Sequence, residues 1–215
     1  MKNLILASNS PRRKDLFSLF GWPFEVVPAD IDEARKPGEP PRDYVNRLAC
    51  EKAEAVAERK KGLVIAADTI VADGNELLGK PAEKSEARQM LKQLRGRTHQ
   101  VYTGIAIIDS DTGQSFDEVI QTDVLMRDYS DAEIEAYIAS GDPMDKAGAY
   151  AIQHPGFNPV QSLEGCYASV MGLPICRLTA GLRQFGLEPP EDLFNRCQNL
   201  LGYECPILEE VLDEV

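Results

Sequence analysis

The sequence predicts an α/β fold, and three stretches carry this prediction. At the amino terminus the apolar run Leu4–Ala7 precedes a polar turn and an amphipathic stretch, which is the pattern of a strand followed by a helix. Leu63–Ala67 is a continuous apolar run of strand length, as expected of a strand covered on both faces. Val101–Asp109 and Phe116–Met126 flank a turn at Asp111–Gly113 and predict a long antiparallel pair. We therefore expect a mixed sheet flanked by helices.

The first helix is predicted from the residues that begin and end it. Ser10 is a good N-cap, Pro11 suits the first helical position, and Gly21–Pro23 ends the helix. Such a helix presents free backbone N–H groups and the positive end of its dipole, and Arg12 and Arg13 add two guanidinium groups beside them. The turn is either a phosphate site or an ordinary capped helix with solvated arginines, and local chemistry leaves both interpretations open.

The remaining elements follow from apolar spacing and from turn-forming residues. Apolar residues at three-to-four spacing predict a long helix over Arg42–Lys61, which Gly62 closes. In chain order, the other predicted elements are a strand at Phe24–Val27, a continuation of the central strand through Ile70–Ala72, helices over Ser85–Leu94 and Asp131–Ala139, and a last helix over Pro174–Phe185.

Composition and charge exclude several classes of protein. The chain has 215 residues, 43% of them hydrophobic, and no apolar stretch approaches the roughly 20 residues that cross a bilayer. No signal peptide precedes the first strand, so we expect a cytoplasmic protein. The formal net charge of -12 argues against a surface for nucleic acid polymers or anionic membranes. The five cysteines have no zinc-type spacing, and we expect free thiols.

The character of the sequence changes after about Gly186. A Pro-Pro pair interrupts the chain, and the segment after it contains numerous acidic residues but a single basic residue, Arg196. We expect residues 1–186 to form the functional domain and residues 187–215 to be an acidic extension without candidate chemistry. An amphipathic pattern of leucines would let this extension fold back on the body; they are Leu193, Leu200, Leu201 and Leu208.

Two carboxylates are candidates for catalysis or metal binding. Asp68 follows the central apolar run, where a carboxylate is scarce unless it is paired or put to use. Ligand chemistry in open α/β sheets gathers at the carboxyl ends of strands, so Asp68 can activate water or hold a metal; alternatively, it forms a turn before Thr69. Glu33 is by default a solvated loop charge, although hard divalent cations take oxygen ligands from more than one segment.

Two lysines and a glutamine complete the set of candidates. Lys52 lies between acidic neighbours on the long helix and, taken alone, is typical of a surface charge. Lys80 stands in the turn Gly79–Pro81, which fixes the direction of its side chain. Gln153 follows two apolar residues, and its amide can read a base edge or bond a neighbouring strand.

Several familiar catalytic patterns are missing from the sequence. No serine stands in a G-x-S-x-G elbow, and no cysteine has the neighbours of a nucleophile. No G-x-x-x-x-G-K-[ST] loop occurs, and no G-x-G-x-x-G follows a strand. Phosphate binding would therefore use a different arrangement from that of the P-loop or the dinucleotide-binding fold.

Five motifs follow one another along the chain: Leu6–Arg13, Ala66–Val71, Gly79–Pro81, Gly96–Gly104 and Asp145–Gln153. Taken together and in this order, they resemble those of the Maf family. The resemblance covers roughly residues 1–186 and leaves the acidic extension outside it.

The resemblance implies a nucleoside triphosphate pyrophosphatase, in which water attacks the α-phosphorus with the help of a divalent metal, Mg²⁺ or Mn²⁺. It also implies an elongated mixed sheet with two lobes around a central cleft, similar to the inosine triphosphatases, and often a homodimer. In the family pattern Asp68 is the proposed general base, and Asp68 and Glu33 would contact the metal. The other residues expected to serve the phosphates or catalysis are Arg12, Arg13, Lys52 and Lys80, assisted by Ser8 and Ser10.

Base specificity follows from a smaller part of the resemblance. Arg12, Thr69 and Gln153 match the branch of the family that acts on dTTP and UTP, whereas a tryptophan marks the 7-methyl-GTP branch at the Arg12 position. We expect Thr69 and Gln153 to face the base. The chain departs from the family pattern after Gln153 and at Ser169, where asparagine is more usual. Two alternatives stay open: the same chemistry on a modified guanine nucleotide, and a nucleotide-binding regulator of cell division without turnover.

Overall fold

Residues 2–206, the part of the chain that the computed structural model describes, fold around a seven-stranded sheet. The strands are β1 (Leu4–Leu6), β2 (Glu25–Val26), β3 (Leu63–Asp73), β4 (Glu76–Leu78), β5 (Thr98–Asp109), β6 (Ser115–Met126) and β7 (Val160–Glu164). The helices are α1 (Pro11–Ser18), α2 (Pro41–Ala57), α3 (Lys84–Leu94), α4 (Asp131–Ala139), α5 (Tyr167–Val170), α6 (Ile175–Gln184) and α7 (Leu193–Leu201).

The sheet is mixed, which confirms the predicted α/β class. Its main path runs β2-β1-β3-β5-β6-β7, with β4 paired to β3 off this path. β1 is parallel to both β2 and β3, and the other pairs are antiparallel. The β5–β6 pair extends over the register from Thr98 opposite Leu125 to Ile108 opposite Ser115, as the turn at Asp111–Gly113 predicted.

Alternate residues of β3 enter two separate hydrophobic clusters on opposite faces of the sheet. Leu63, Ile65 and Ala67 join the larger cluster, which also contains buried apolar side chains of α1, α3, α4 and α6. Val64 and Ala66 join the smaller cluster, which is covered by α2. Because side chains alternate along a strand, the next residue of the second series, Asp68, belongs to the α2 face, and Thr69 belongs to the opposite face.

The predicted continuation of the central strand through Ile70–Ala72 is confirmed, since β3 runs to Asp73. Asp68 lies inside this strand, paired with Gly104 of β5, so the interpretation of Asp68 as a strand end or a turn residue is wrong. On the other side of β3, pairing with β1 stops at Ile65 and pairing with β4 starts only at Val71. Within residues 2–206, the intervening residues of β3 therefore have no neighbouring strand on that side, and a cleft opens at this gap in the sheet.

Most predicted helices are present with small changes at their ends. α4 has the predicted bounds and begins with a capping box between Ser130 and Glu133. α2 stops at Ala57 rather than at Lys61. β4, β7 and α5 were not predicted, because they are three to five residues long and lack a clear apolar period; β7, for instance, has no buried residue.

Part of the acidic extension packs on the body. α7 contacts the region of α5 and α6, and Leu193 at its start is fully buried. Leu208, which also contributed to the amphipathic pattern, lies outside the described residues. None of the helices within residues 2–206 combines the length and the apolar composition that crossing a membrane requires.

Candidate active site

A cleft of about 730 Å³ opens where the strand pairing of β3 is interrupted. Its walls come from the turn after β1, the loop before α2, the middle of β3, the turn after β4, and the segments around residues 145–153 and 170–172. All the residues that were predicted to form the site line this cleft: Ser8, Ser10, Arg12, Arg13, Glu33, Lys52, Asp68, Thr69, Lys80 and Gln153. Their chemical roles stay predictions.

An ion pair between Lys52 and Asp68 lies at the floor of the cleft. Lys52 Nζ is 2.6 Å from Asp68 Oδ1 and 2.7 Å from Glu33 Oε1. Asp68 and Lys52 are 7% and 8% exposed, whereas the Glu33 side chain is 57% exposed. Lys52 is thus a buried group with two carboxylate partners. Its acidic neighbours in sequence indicated an exposed surface charge, and that interpretation is wrong.

A glycine brings α2 close enough to form this ion pair. Gly104 is the partner of Asp68 in the β3–β5 register, and a Cβ atom there would lie 2.7 Å from the carbonyl oxygen of Val45. The backbone of α2 therefore packs directly on β5 at this point. Lys52, on the buried face of α2, can then reach across to Asp68.

Arg13 is held by acceptors from three separate segments. Its Nε donates to the carbonyl oxygen of Gly172 at 2.9 Å, its Nη1 to Ser8 Oγ at 3.4 Å, and its Nη2 to Thr69 Oγ1 at 3.1 Å. Burial lowers the pKa of Arg13, and the negative charge of Asp68 opposes that shift. An arginine stays charged in proteins even so. The guanidinium is a fixed positive group at the wall of the cleft.

The start of α1 supplies the other predicted phosphate contacts. Ser10 caps the helix through its hydroxyl, which accepts from the backbone N–H of Arg13 at 3.4 Å, and Pro11 is the first helical residue, as predicted. The side chains of Arg12 and Lys80 line the cleft, and within residues 2–206 neither makes a hydrogen bond or an ion pair. Two cations are therefore available to a ligand in the cleft.

The far wall of the cleft carries Gln153 and residues that sequence reasoning did not select. Gln153 is exposed and follows the buried Ile152. Lys146 also lines the cleft, but its Nζ is engaged by Asp142 Oδ1 at 3.0 Å and by Asp145 Oδ1 at 2.6 Å. The position of Lys146 inside the Asp145–Gln153 motif was the signal that could have identified it.

Tyr44 and Thr103 were also missed. Tyr44 lines the cleft and donates its hydroxyl to the carbonyl oxygen of Glu33 at 2.8 Å, which ties the charged loop to α2. Thr103 is buried opposite Thr69 in the sheet, and the two hydroxyl oxygens are 3.0 Å apart. The position of Thr103 inside the Gly96–Gly104 motif was the signal that could have identified it, and only the β3–β5 register shows that it faces Thr69.

The donors in the cleft do not form a complete metal cage. Within residues 2–206 no group of three or more His, Cys, Asp or Glu side chains is placed to hold a metal ion. Glu33 and Asp68 supply hard oxygen donors on either side of Lys52 Nζ. A cation that uses one or two carboxylates and completes its shell with substrate phosphates and water, as Mg²⁺ commonly does, fits this donor set.

A family model and two curated relatives match most of this chain. Residues 3–185 match the family described as Maf-like protein. A dTTP/UTP pyrophosphatase of Bacillus cereus (strain ATCC 10987 / NRS 248) is 48% identical over 189 residues, which is 87% of this chain and 92% of the relative. A protein with the same name from Bacillus anthracis (strain CDC 684 / NRRL 3495) is 47% identical, covering 87% of this chain and 98% of the relative.

The solved structures that match this chain have much lower sequence identity to it. The Ham1 protein of Staphylococcus aureus is 15% identical, with a TM-score of 0.48 over 94% of this chain and 98% of its own.

The fold and the site together define an α/β protein with a cationic cleft built around a lysine-paired carboxylate. Such a cleft suits a small polyanion. The match over residues 3–185 and the identity to the two Bacillus proteins show that the chain belongs to the Maf family.

Proposed function

We propose that this protein hydrolyses dTTP or UTP at the α-phosphorus, releasing the nucleoside monophosphate and pyrophosphate. The observation that carries the proposal is the Lys52–Asp68 pair at the floor of a cleft in which two further cations, Arg12 and Lys80, make no side-chain hydrogen bond or ion pair within residues 2–206. Curated relatives at 47% to 48% identity are named dTTP/UTP pyrophosphatase, which supports this choice of chemistry and substrate.

The cations account for binding. A nucleoside triphosphate brings several negative charges, which the acidic surface of a protein with net charge -12 would repel. Arg12, Arg13 and Lys80 offset this repulsion locally, and the N-terminus of α1 adds the positive end of its dipole. Gln153, which also lines the cleft, is proposed to contact the base.

Asp68 is proposed to orient and deprotonate the attacking water. The water oxygen bonds to the α-phosphorus, the bond from that phosphorus to the bridging oxygen breaks, and pyrophosphate leaves, while the proton of the water passes to the Asp68 carboxylate. Lys52 fixes the orientation of Asp68, and Glu33 holds Lys52 from the other side. Desolvation offsets much of the attraction in a buried ion pair, so the Lys52–Asp68 pair adds little net stability to the fold. Folding stability alone therefore does not explain why the pair is present.

A divalent cation, Mg²⁺ or Mn²⁺, is proposed to contact Asp68 and Glu33 together with the substrate. When bound, it would neutralise charge on the phosphates and favour the leaving of pyrophosphate.

A panel of nucleotides tests the proposal. Pyrophosphate and nucleoside monophosphate are both measured with dTTP, UTP, dCTP, ATP, GTP and 7-methyl-GTP, in Mg²⁺ and in Mn²⁺. The proposal expects the highest kcat/KM with dTTP and UTP. A maximum with 7-methyl-GTP would overturn the base assignment. Nucleotide binding without pyrophosphate from any member of the panel would overturn the reaction and favour a regulator.

A further inference from the structure

A chain of hydrogen bonds joins Arg13 to the buried interior of the sheet. Arg13 Nη2 donates to Thr69 Oγ1, Thr69 Oγ1 is 3.0 Å from Thr103 Oγ1, and Thr103 Oγ1 donates to the carbonyl oxygen of Ser169 at 2.7 Å. Thr103 and Ser169 are both 0% exposed. This series of hydrogen bonds thus links α1 to α5 through β3 and β5.

The direction of each hydrogen bond in this chain is determined. A threonine hydroxyl has one proton to donate. Thr103 gives its proton to Ser169, so it must accept from Thr69, and Thr69 must therefore give its only proton to Thr103. The oxygen of Thr69 accepts from Arg13. Thr69 has no proton left for a nucleotide base, although its side chain lines the cleft.

The segment after α5 holds Arg13 from a second side. Gly172 has φ +107, a backbone conformation that favours glycine, and a Cβ atom there would lie 3.1 Å from Arg13 Nε. Its carbonyl oxygen accepts from that same Nε at 2.9 Å. With Ser8, Thr69 and Gly172 each taking one N–H, two of the five N–H groups of the guanidinium remain for a ligand.

We propose that Thr103 is a positioning residue, which acts through Thr69 to fix the Arg13 guanidinium in the orientation that binds phosphate. This inference rests on the proposed nucleotide pyrophosphatase function. Thr69 then contributes to the site by orienting Arg13 rather than by donating to the base. Because a guanidinium recognises phosphate through a planar fork of donors, a small rotation weakens binding although the charge is unchanged.

Steady-state kinetics with dTTP and Mg²⁺ test the inference. Thr103→Val keeps the shape of the side chain and removes the hydroxyl, and it should lower kcat/KM roughly 10- to 100-fold, as a misplaced binding group does. Thr103→Ser should restore most of the loss. Thr179→Val is the matched control, because Thr179 is equally buried and its hydroxyl donates to Ile175 within α6, outside the cleft.

A double-mutant cycle separates positioning from a general loss of structure. In an Arg13→Ala background, Thr103→Val should have little further effect on kcat/KM, since the group that it orients is gone. The same fold-loss in both backgrounds would overturn the inference, and so would wild-type kinetics in Thr103→Val. If Thr103→Val does not fold, Thr103→Cys, with its weakly donating thiol, takes its place in the cycle.

Binding of inorganic pyrophosphate, measured by calorimetry, tests the role of Thr103 independently of the proposed hydrolysis. If the wild type releases no pyrophosphate from any nucleotide, the proposed function fails, and the affinity for pyrophosphate still tests the orientation of Arg13. Weaker binding by Thr103→Val and recovery with Thr103→Ser would support the inference. Equal affinity of the wild type and Thr103→Val would overturn it.

Discussion

At the residue scale, Asp68 combines three features that come from different parts of the chain. The alternation of β3 turns it toward α2, the gap between β1 and β4 opens the strand edge beside it, and Lys52 lies 2.6 Å from its Oδ1. A carboxylate in this position can contact both a phosphate ligand and water. Its removal gives the most specific test at this scale.

We expect Asp68→Asn to lower kcat for pyrophosphate release by about 10²- to 10⁴-fold, the usual contribution of general acid–base catalysis. The amide keeps the shape of the side chain, so circular dichroism should match that of the wild type. Asp117→Asn is the control, because Asp117 is an exposed carboxylate of β6 that does not line the cleft. Near-normal kcat in a folded Asp68→Asn protein would remove Asp68 from the catalytic role.

His99 provides a second residue-scale prediction, which concerns stability. Burial lowers its pKa to about 4, against the smaller opposing effects of Asp73 and Asp123, and its Nε2 is 2.8 Å from Tyr150 Oη. Between pH 6.5 and 4 the unfolded chain takes up a proton that the folded protein does not. The free energy of unfolding should therefore be unaffected above pH 6.5 and fall by roughly 3 kcal/mol as the pH drops to 4.

Urea denaturation at a series of pH values measures this effect. His99→Gln removes the titrating group, so its stability should decline less than that of the wild type between pH 6.5 and 4. Parallel curves for the wild type and His99→Gln would show that His99 is not the source of the decline.

At the element scale, the contact between α2 and β5 sets the geometry of the site. Gly104→Ala would bring a methyl group to 2.7 Å from the carbonyl oxygen of Val45, so α2 must move. We expect a loss of about 1–3 kcal/mol in unfolding free energy from overpacking. We also expect a lower kcat/KM in the folded protein, because Lys52 moves away from Asp68.

Gly181→Ala separates these two effects. A Cβ atom at Gly181 of α6 would also crowd its neighbours, at 2.6 Å from a ring atom of Phe116, but this position is outside the cleft. It should lower stability with little change in kcat/KM. Equal kinetic losses in the two variants would contradict the proposed role of the α2–β5 contact.

We propose that α7 is a cover for the body rather than part of the catalytic domain. A small cavity of about 20 Å³ lies where it meets α5 and α6, and four of the five cysteines line it. Burial raises the pKa of Cys166 to about 11 and that of Cys197 to about 12, and it also raises the pKa of Cys176. Thiols in this state react slowly, because the thiolate is the nucleophile.

Leu193→Ala should loosen α7 and speed the reaction of Cys166 and Cys176 with a disulfide reagent. Leu193 is fully buried, and truncating a buried leucine costs about 2–5 kcal/mol. If this cost weakens the docking of α7 on the body, the reactivity of the two thiols should rise at least 10-fold. Leu200→Ala is the control on the same helix, since Leu200 is 50% exposed. Peptide mapping measures the reaction rate of each cysteine. Unchanged rates at Cys166 and Cys176 in Leu193→Ala would contradict the proposal that α7 covers them.

At the scale of the whole molecule, the sequence predicted the helices and long strands well because their apolar periods are clear. The capped start of α1 and the bounds of α4 agree with the structure. Short elements such as β4 and β7 depend on pairing with distant strands, and their own residues carry little pattern. The continuation of β3 through Ile70–Ala72 was predicted, but Asp68 was interpreted as a strand end or a turn because its charge interrupts the apolar run, whereas pairing with β5 sustains the strand.

The site was predicted by motif more than by physical pattern. Lys52 was ordinary in its sequence context, and only the packing of α2 on β5 places it beside Asp68. The environment of Thr69 depends on the β3–β5 register, which no local signal specifies. Arg13 was expected near phosphate, but its acceptors at Gly172 and Thr69 come from segments far along the chain. Contacts of this kind need the three-dimensional fold.

The proposed reaction depends on the attack of water at the α-phosphorus of a nucleoside triphosphate in this cleft. Hydrolysis of dTTP in water enriched in oxygen-18, followed by mass spectrometry of both products, tests this step directly. We expect the label in the nucleoside monophosphate and none in the pyrophosphate. Label in the pyrophosphate, or release of inorganic phosphate in place of pyrophosphate, would contradict it.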